Sequence, residues 1–463
     1  MAVRRVLLLV PETSAVADSV RLAMTPASTR ITASVLSLPK GFRVDETFAA
    51  ARLHAPGTAP PMPAYKLLHM APMPTPVTPE YTACVVRGFL DDADLERVER
   101  ESRLPDQSTR VFSDPEIGLT PTCGADPPVG TAGDVRRRLG IGRLRRLGLD
   151  GDGVAVAVVD NGINLEYLRT RGLSPELDVH LSWSPLRTVQ PGSALVDHGT
   201  MCAFDAAIAA PDATLLDFAV LQSTRRGGSA MDGVLSDAVQ AYGVLLNMML
   251  LPDDERPFHS LVVSNSWGMF HPSWDFPLGH PGRYADNPNH PFNVIVGSFA
   301  VAGADILFAA GNCGPACPDR RCQGNTTNTI TGANSHPDVI TVAGVDTTGA
   351  VVGYSSVGPG ALTAQKPDLA TYTHFLGSEA FGAGEPDSGT SAACPVMAGV
   401  VAALRTAVPF DRGSVNRSPA AVKAFLLQHG VRRRAGAPTG WAADDGHGIA
   451  TTAQFDQAAR LLP

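Results

Sequence analysis

Charge is scarce in this sequence, and aromatic residues are scarcer. Only 18% of the 463 residues are Asp, Glu, Lys or Arg, and 6% are aromatic. The charge present sums to −8 at pH 7. A dedicated nucleic-acid binder needs a basic surface, so no nucleic-acid partner is expected. Long apolar runs are missing too. None approaches the roughly 18 residues of a membrane span, so no membrane partner is expected. The run Val6–Val10 behind Arg4-Arg5 imitates a signal peptide. Pro11-Glu12 ends it early, and no small-residue cleavage site follows. Cysteine is sparse: Cys84, Cys123, Cys202, Cys313, Cys317, Cys322 and Cys394. An odd number of mostly isolated thiols argues against a full disulfide framework, and the expected location is cytoplasmic.

What is abundant is apolar residues (44%), glycine (45) and proline (38). The first supports a folded core, and the other two demand tight turns and a Pro-rich spacer. Eight prolines between Pro56 and Pro79 exclude regular structure from an insertion near 39–79. Around it, apolar spacing predicts strands at Arg5–Val10, Ile31–Leu38, Tyr81–Phe89 and Thr109–Phe112. It predicts helices at Ser14–Met24 and Asp91–Ser102. The order β-α-β…β-α-β is that of the split βαβ, or ferredoxin-like, unit, covering 1–117. Residues 118–133 read as a linker. A basic helix, Asp134–Leu147, follows; its arginines read as a solvated face.

From 134 to 463 the pattern changes. Val154–Val159 is continuously apolar, as in a strand buried on both faces. Similar runs recur at Ala213–Leu221, Ser260–Ser264, Asp305–Ala310 and Val339–Val345, with helical stretches between several of them. This alternation predicts an α/β fold with a doubly wound parallel sheet. Ligands in such sheets bind beyond the carboxyl ends of the strands. There the sequence places Asp160-Asn161-Gly162, Asp197-His198-Gly199-Thr200, Ala309-Ala310-Gly311-Asn312 and Gly389-Thr390-Ser391-Ala392-Ala393-Cys394-Pro395. Taken singly, each has a plain reading. Asp160 and Ser391 can cap helices, His198 can be a core histidine, and Asn312 can serve a turn.

Taken together, these segments resemble the subtilisin-like serine proteases. Asp160 and its glycine match the family's aspartate motif, His198-Gly199-Thr200 its histidine motif, and Gly389–Pro395 its nucleophile motif. Ser264-Asn265-Ser266-Trp267-Gly268 resembles the substrate-cleft strand, and Ala309–Asn312 the oxyanion motif. The order Asp, His, Ser is the subtilisin order. The resemblance implies a serine endopeptidase acting on protein or peptide substrates; calcium is common in the family, but no ligand-spaced loop carries it over, so no metal and no cofactor are expected.

The chemistry asks for the same residue types. Ser391 is expected to be the nucleophile, His198 its base, Asp160 the group that fixes the imidazole, and Asn312 an oxyanion donor. Ser388 precedes the glycine turn and is set aside. Ser264–Gly268 and Ala309–Gly311 are expected to line the substrate, with Trp267 as a platform or as core. Asn161 stands where the family usually has Ser or Thr, and Asp197 puts a second carboxylate beside the base. Cys313, Cys317 and Cys322 share one short loop. Zinc with His336 is one outcome; a disulfide or plain thiols is the commoner one.

By the same resemblance the first 117 residues are a prodomain. They are expected to inhibit the protease intramolecularly, with the segment from Ser113 to Thr131 crossing the site. Two alternatives stand beside hydrolysis: an acyl-transferring relative, and a silent peptide-binding module.

Overall fold

The computed structural model describes residues 3–11, 38–45, 47, 50–54, 81–101, 110–118, 126–186, 188–222, 232–434, 436 and 439–462. The expected helix Ser14–Met24, nearly all of strand Ile31–Leu38 and most of the Pro-rich insertion lie outside them.

The opening apolar run forms β1 (Val3–Pro11). It is followed by β2 (Arg43–Val44), β3 (Ala51–His54), β4 (Tyr81–Asp91), α1 (Asp92–Glu101) and β5 (Arg110–Ser113). The strands pair antiparallel in the order β2-β4-β1-β5, with β3 also on β4. Side chains alternate across the sheet. Val6, Leu8 and Val10 face one way, into a small core with Val86, Leu95 and Val98. Leu7, Val85 and Phe112 face the other way, against the larger body of the chain.

That body begins after β6 (Glu116–Gly118). The single helix expected over Asp134–Leu147 is two, α2 (Ala132–Leu139) and α3 (Ile141–Arg146). Thr131 and Asp134 form a capping box at the first. Gly140, at φ 68°, ends it in the left-handed conformation that glycine adopts without strain. Then come β7 (Val154–Asp160), α4 (Leu165–Thr170), α5 (His198–Ala207), β8 (Thr214–Ala219), β9 (Asp232–Val234) and α6 (Leu235–Leu250). They are followed by β10 (Ser260–Asn265), α7 (Pro291–Val301), β11 (Ala304–Ala309), β12 (Ile340–Val345) and β13 (Leu369–Tyr372). The chain closes with α8 (Thr390–Ala407), α9 (Pro419–His429), β14 (Val431–Arg432) and β15 (Ile449–Ala450).

Eight strands form one sheet in the order β14-β15-β13-β12-β11-β10-β7-β8, parallel except for β14 against β15. Every residue of β7, β10 and β11 is buried, which accounts for their unbroken apolar runs. Helices α5, α8 and α9 share the core on one face, and α6 and α7 that on the other. Among the described residues, α8 alone is long and apolar enough to cross a membrane, yet it is buried within this core.

The small sheet sits on α6 and α7. Leu7, Val85 and Phe112 pack with Leu235, Val239, Phe292 and Val296. At the amino end of α6, Asp114 accepts hydrogen bonds from the Ser236 amide (2.8 Å) and hydroxyl (3.0 Å). A carboxylate there meets the positive end of the helix dipole. Arg87 donates to Ser236 Oγ (2.8 Å) and pairs with Asp45 at 2.8 Å and Asp237 at 3.4 Å. Burial pushes the Asp237 carboxyl up to about 7, against the pull of Arg87. Finally, β6 runs antiparallel to β9, with Glu116 opposite Val234 and Gly118 opposite Asp232.

Candidate active site

Strand β7 has β8 on one side and β10 on the other. The chain therefore reverses its winding at β7, and a crevice opens beyond the carboxyl ends of β7 and β10. Asp160 is the last residue of β7, and Ser266 follows β10 directly.

His198 is the first residue of α5, so its ring hangs at the helix mouth. Its Nδ1 lies 3.0 Å from each carboxylate oxygen of Asp160, with both side chains buried. Acceptance there fixes the Nδ1–H tautomer and leaves Nε2 as the basic nitrogen. Among the described residues that Nε2 is buried and has no hydrogen-bond partner. Asp160 Oδ1 also accepts from the Asn161 amide at 2.8 Å, which holds the carboxylate in place. Cys202, one turn along α5, lies 3.5 Å from Asp160 Oδ2 and 3.6 Å from His198 Nδ1. Burial pushes its thiol well up, so it forms a neutral floor to the pair and is a poor metal ligand.

Ser391 is the second residue of α8, buried on the same side of the sheet. Its hydroxyl donates to Ser266 O at 3.3 Å, and its own carbonyl accepts from Ser266 Oγ at 2.9 Å. The preceding turn depends on Gly389, at φ 77°, where a Cβ would stand 2.8 Å from Asn312 Nδ2. Asn312 Oδ1 accepts from the Thr390 amide and hydroxyl, each at 2.9 Å. That fixes the amide group and leaves its Nδ2 as a buried donor without a partner among the described residues. An unfilled donor beside a hydroxyl at a helix amino terminus is what a developing oxyanion requires.

The match of the subtilase family model over residues 151–448 covers well over half of the sequence. The chain belongs to the subtilase family. It is 28% identical over 297 residues to the mouse membrane-bound transcription factor site-1 protease, covering 61% of this chain and 23% of that protein. It is 26% identical over 284 residues to human proprotein convertase subtilisin/kexin type 4, covering 57% of this chain and 33% of that protein. The chain thus spans 23% to 33% of the length of these relatives. A protease of this family acts on protein or peptide substrates.

In this subtilase several cleft residues differ from expectation. Ser264 and Asn265 belong to β10, which is paired on both sides by β7 and β11, so they offer no free edge. Only Ser266–Gly268 emerges beyond the sheet. Trp267 is not a platform. Its ring is buried against Phe292 and Phe308, and its Nε1 donates to Val159 O at 3.0 Å. Trp267, Gly268, Ala309, Ala310, Gly311 and Asn312 are among the residues that line a cavity of about 20 Å³. Asn334, which carried no sequence signal, ties the two walls together. Its Nδ2 donates to Trp267 O and to Ala309 O, each at 2.9 Å. Phe381, also unmarked in the sequence, is half-exposed with its ring 6.4 Å from that of His198.

Asp197 neither faces His198's ring nor points into solvent. It caps α5, accepting from the His198 amide at 2.9 Å and from Asn161 Nδ2 at 3.1 Å. Asn161 in turn accepts from the Gly199 amide at 2.8 Å, so the unusual Asn161 and Asp197 form one clasp across the site. The cysteine loop holds a disulfide, Cys313–Cys322, and Cys317 is likewise disulfide-bonded. No thiolate is left in that loop for zinc with His336.

Proposed function

We propose that this subtilase is a serine endopeptidase working through Asp160, His198, Ser391 and Asn312. The observation that carries the reading is a pair of buried, unfilled nitrogens among the described residues at the carboxyl ends of the strands. One is the buried Nε2 of a histidine held by Asp160, and the other is the buried Nδ2 of Asn312. In the reaction, His198 Nε2 takes the proton as Ser391 Oγ bonds to the scissile carbonyl carbon. The carbonyl oxygen becomes an oxyanion, received by Asn312 Nδ2 and the Ser391 amide. His198 returns the proton to the leaving amine as the C–N bond breaks. Water then attacks the acyl-enzyme by the same route.

The cavity beside Asn312 sets the substrate class in this reading. At about 20 Å³ it holds one or two water molecules, or a methyl or hydroxymethyl group. Asn334 holds its walls from both sides and resists widening. Peptides with Ala, Ser or Gly before the cut are expected to exceed Phe or Leu peptides in kcat/KM by at least about tenfold. A peptide panel read by mass spectrometry checks this; preference for large aromatic residues contradicts it.

We also propose that the small amino-terminal domain is an intramolecular inhibitor. Its support is the seat on α6 and α7 and the pairing of β6 with β9, a substrate-like strand addition. The test is intact mass of the purified chain beside its Ser391→Ala variant. The expected wild type is two fragments divided between Gly118 and Gly133, with the variant whole. Both chains remaining whole overturns self-processing. The Cys313–Cys322 disulfide favours an oxidising compartment, and we propose maturation there in place of the cytoplasmic location expected from cysteine spacing.

A further inference from the structure

Two more carboxyl groups, Asp205 and Asp387, are buried and act on one another. Asp205 stands on α5, about two turns from His198. Asp387 lies in the extended segment that leads into the turn of Ser391. Both are fully buried. Asp387 accepts from the Ser378 amide and hydroxyl, each at 2.5 Å. Neither oxygen of Asp205 has a nitrogen or hydroxyl donor among the described residues. What Asp205 does have within hydrogen-bond reach is the carboxyl of Asp387. Two carboxylates side by side in a dry interior cannot both be ionised. If one carries a proton, it donates to the other and Asp205 is satisfied.

We propose that Asp205 and Asp387 share one proton, and that this O–H···O bond holds the helix of His198 against the turn of Ser391. Both are positioning residues; neither touches the reacting atoms. The inference rests on the assignment of His198 and Ser391 above and adds a control on their alignment.

Among the described residues Arg171 is the cation that reaches this pair, and its charge pulls Asp387 down by less than burial pushes it up. From α4, Arg171 turns to Gly377 O at 3.2 Å and to Glu379, and Tyr167 OH donates to Ser378 O (2.9 Å) and Glu379 O (2.8 Å). Along α5, Cys202 is neutral and faces Asp160. Burial and mutual repulsion push Asp205 well above the usual carboxylate range, and burial pushes Asp387 up to about 6. A raised pKa means that the folded chain keeps a proton the unfolded chain releases. The resulting stability is full at low pH and is lost as pH rises through about 6 and beyond.

The test compares the wild type with Asp205→Asn, whose amide donates to Asp387 without a shared proton. Melting temperature and the rate of fluorophosphonate labelling are followed from roughly pH 5 to 9. The wild type is expected to melt progressively lower on the alkaline side, and the variant to lose that fall. The ratio of labelling rates, variant to wild type, is expected to climb about tenfold or more across the range, as for a shift of one pKa unit. Parallel curves at every pH overturn the proposal. So does an alkaline wild type restored by calcium, which would make the pair a cation site. Where Asp205→Asn fails to fold, Asp387→Asn supplies the same comparison from the other side. Melting needs no catalysis, so absent labelling with the predicted melting curves refutes the protease assignment and leaves the shared proton standing.

Discussion

Replacing Ser391 with alanine is expected to lower peptide hydrolysis by roughly 10⁶-fold, the scale established for subtilisin itself. Compared in chains freed of residues 1–118, KM and melting temperature should hardly change. The Ser391 hydroxyl's bond to Ser266 O is long, at 3.3 Å, and a methyl group fits the space it leaves. In the proposed mechanism the loss is so large because the serine and histidine act as a unit: without the oxygen, the base at His198 Nε2 would have nothing to activate. The Asn312→Ala companion separates the oxyanion contribution from nucleophilic attack. It should cost about 10²–10³ in kcat, again the subtilisin scale, with little effect on KM. Steady-state kinetics reads both, with wild type and variants alike first freed of residues 1–118 by an added protease. A Ser391→Ala enzyme that keeps more than about a hundredth of wild-type turnover would mean a different nucleophile.

The second large effect concerns the frame that carries Ser391. Helix α8 brings its amino end to the site, and its far end is tied to the sheet by Arg405. That guanidinium is buried and forks onto Asp305 of β11, with Nε at 2.5 Å and Nη2 at 2.9 Å from the carboxylate oxygens. Its Nη1 also donates to Arg417 O at 2.7 Å and to Val408 O at 3.3 Å. Arg405→Ala leaves a carboxylate buried without its partner and two carbonyls without a donor. The expected destabilisation is about 3–5 kcal/mol, read by chemical denaturation of the Ser391→Ala background. Pairing Arg405→Met with Asp305→Leu should recover most of it, because the desolvated charge is then gone. A loss below about 1 kcal/mol for Arg405→Ala alone would show that the ion pair is not what anchors α8.

The sequence announced the frame more fully than the cleft. Strands β7, β10, β11 and β12 are unbroken apolar runs because both faces of the sheet are covered, and such runs need no tertiary knowledge to find. The four candidate site residues stand at strand ends or helix starts, where turn glycines mark them. Gly140 hid a break inside what reads as one basic helix, since a single glycine leaves apolar periodicity intact. Ser264 and Asn265 look like cleft residues by motif, but only the sheet order reveals that β10 is paired on both sides. Trp267 looked equally suited to platform and core. The deciding contact, its Nε1 on Val159 O, is more than a hundred residues away in sequence. Asn334, Phe381 and the Asp205–Asp387 pair were invisible for the same reason: each gains its role from a partner the chain brings near only on folding. Local patterning therefore reports which segments are buried, and tertiary contact decides which side chains a substrate meets.

The most direct test of the central claim is fluorophosphonate labelling of folded enzyme freed of residues 1–118 by an added protease, with the modified peptide located by mass spectrometry. The account predicts one adduct, on Ser391, lost in Ser391→Ala and strongly slowed in His198→Ala. An adduct on another residue, or none from folded enzyme freed of residues 1–118, would contradict it.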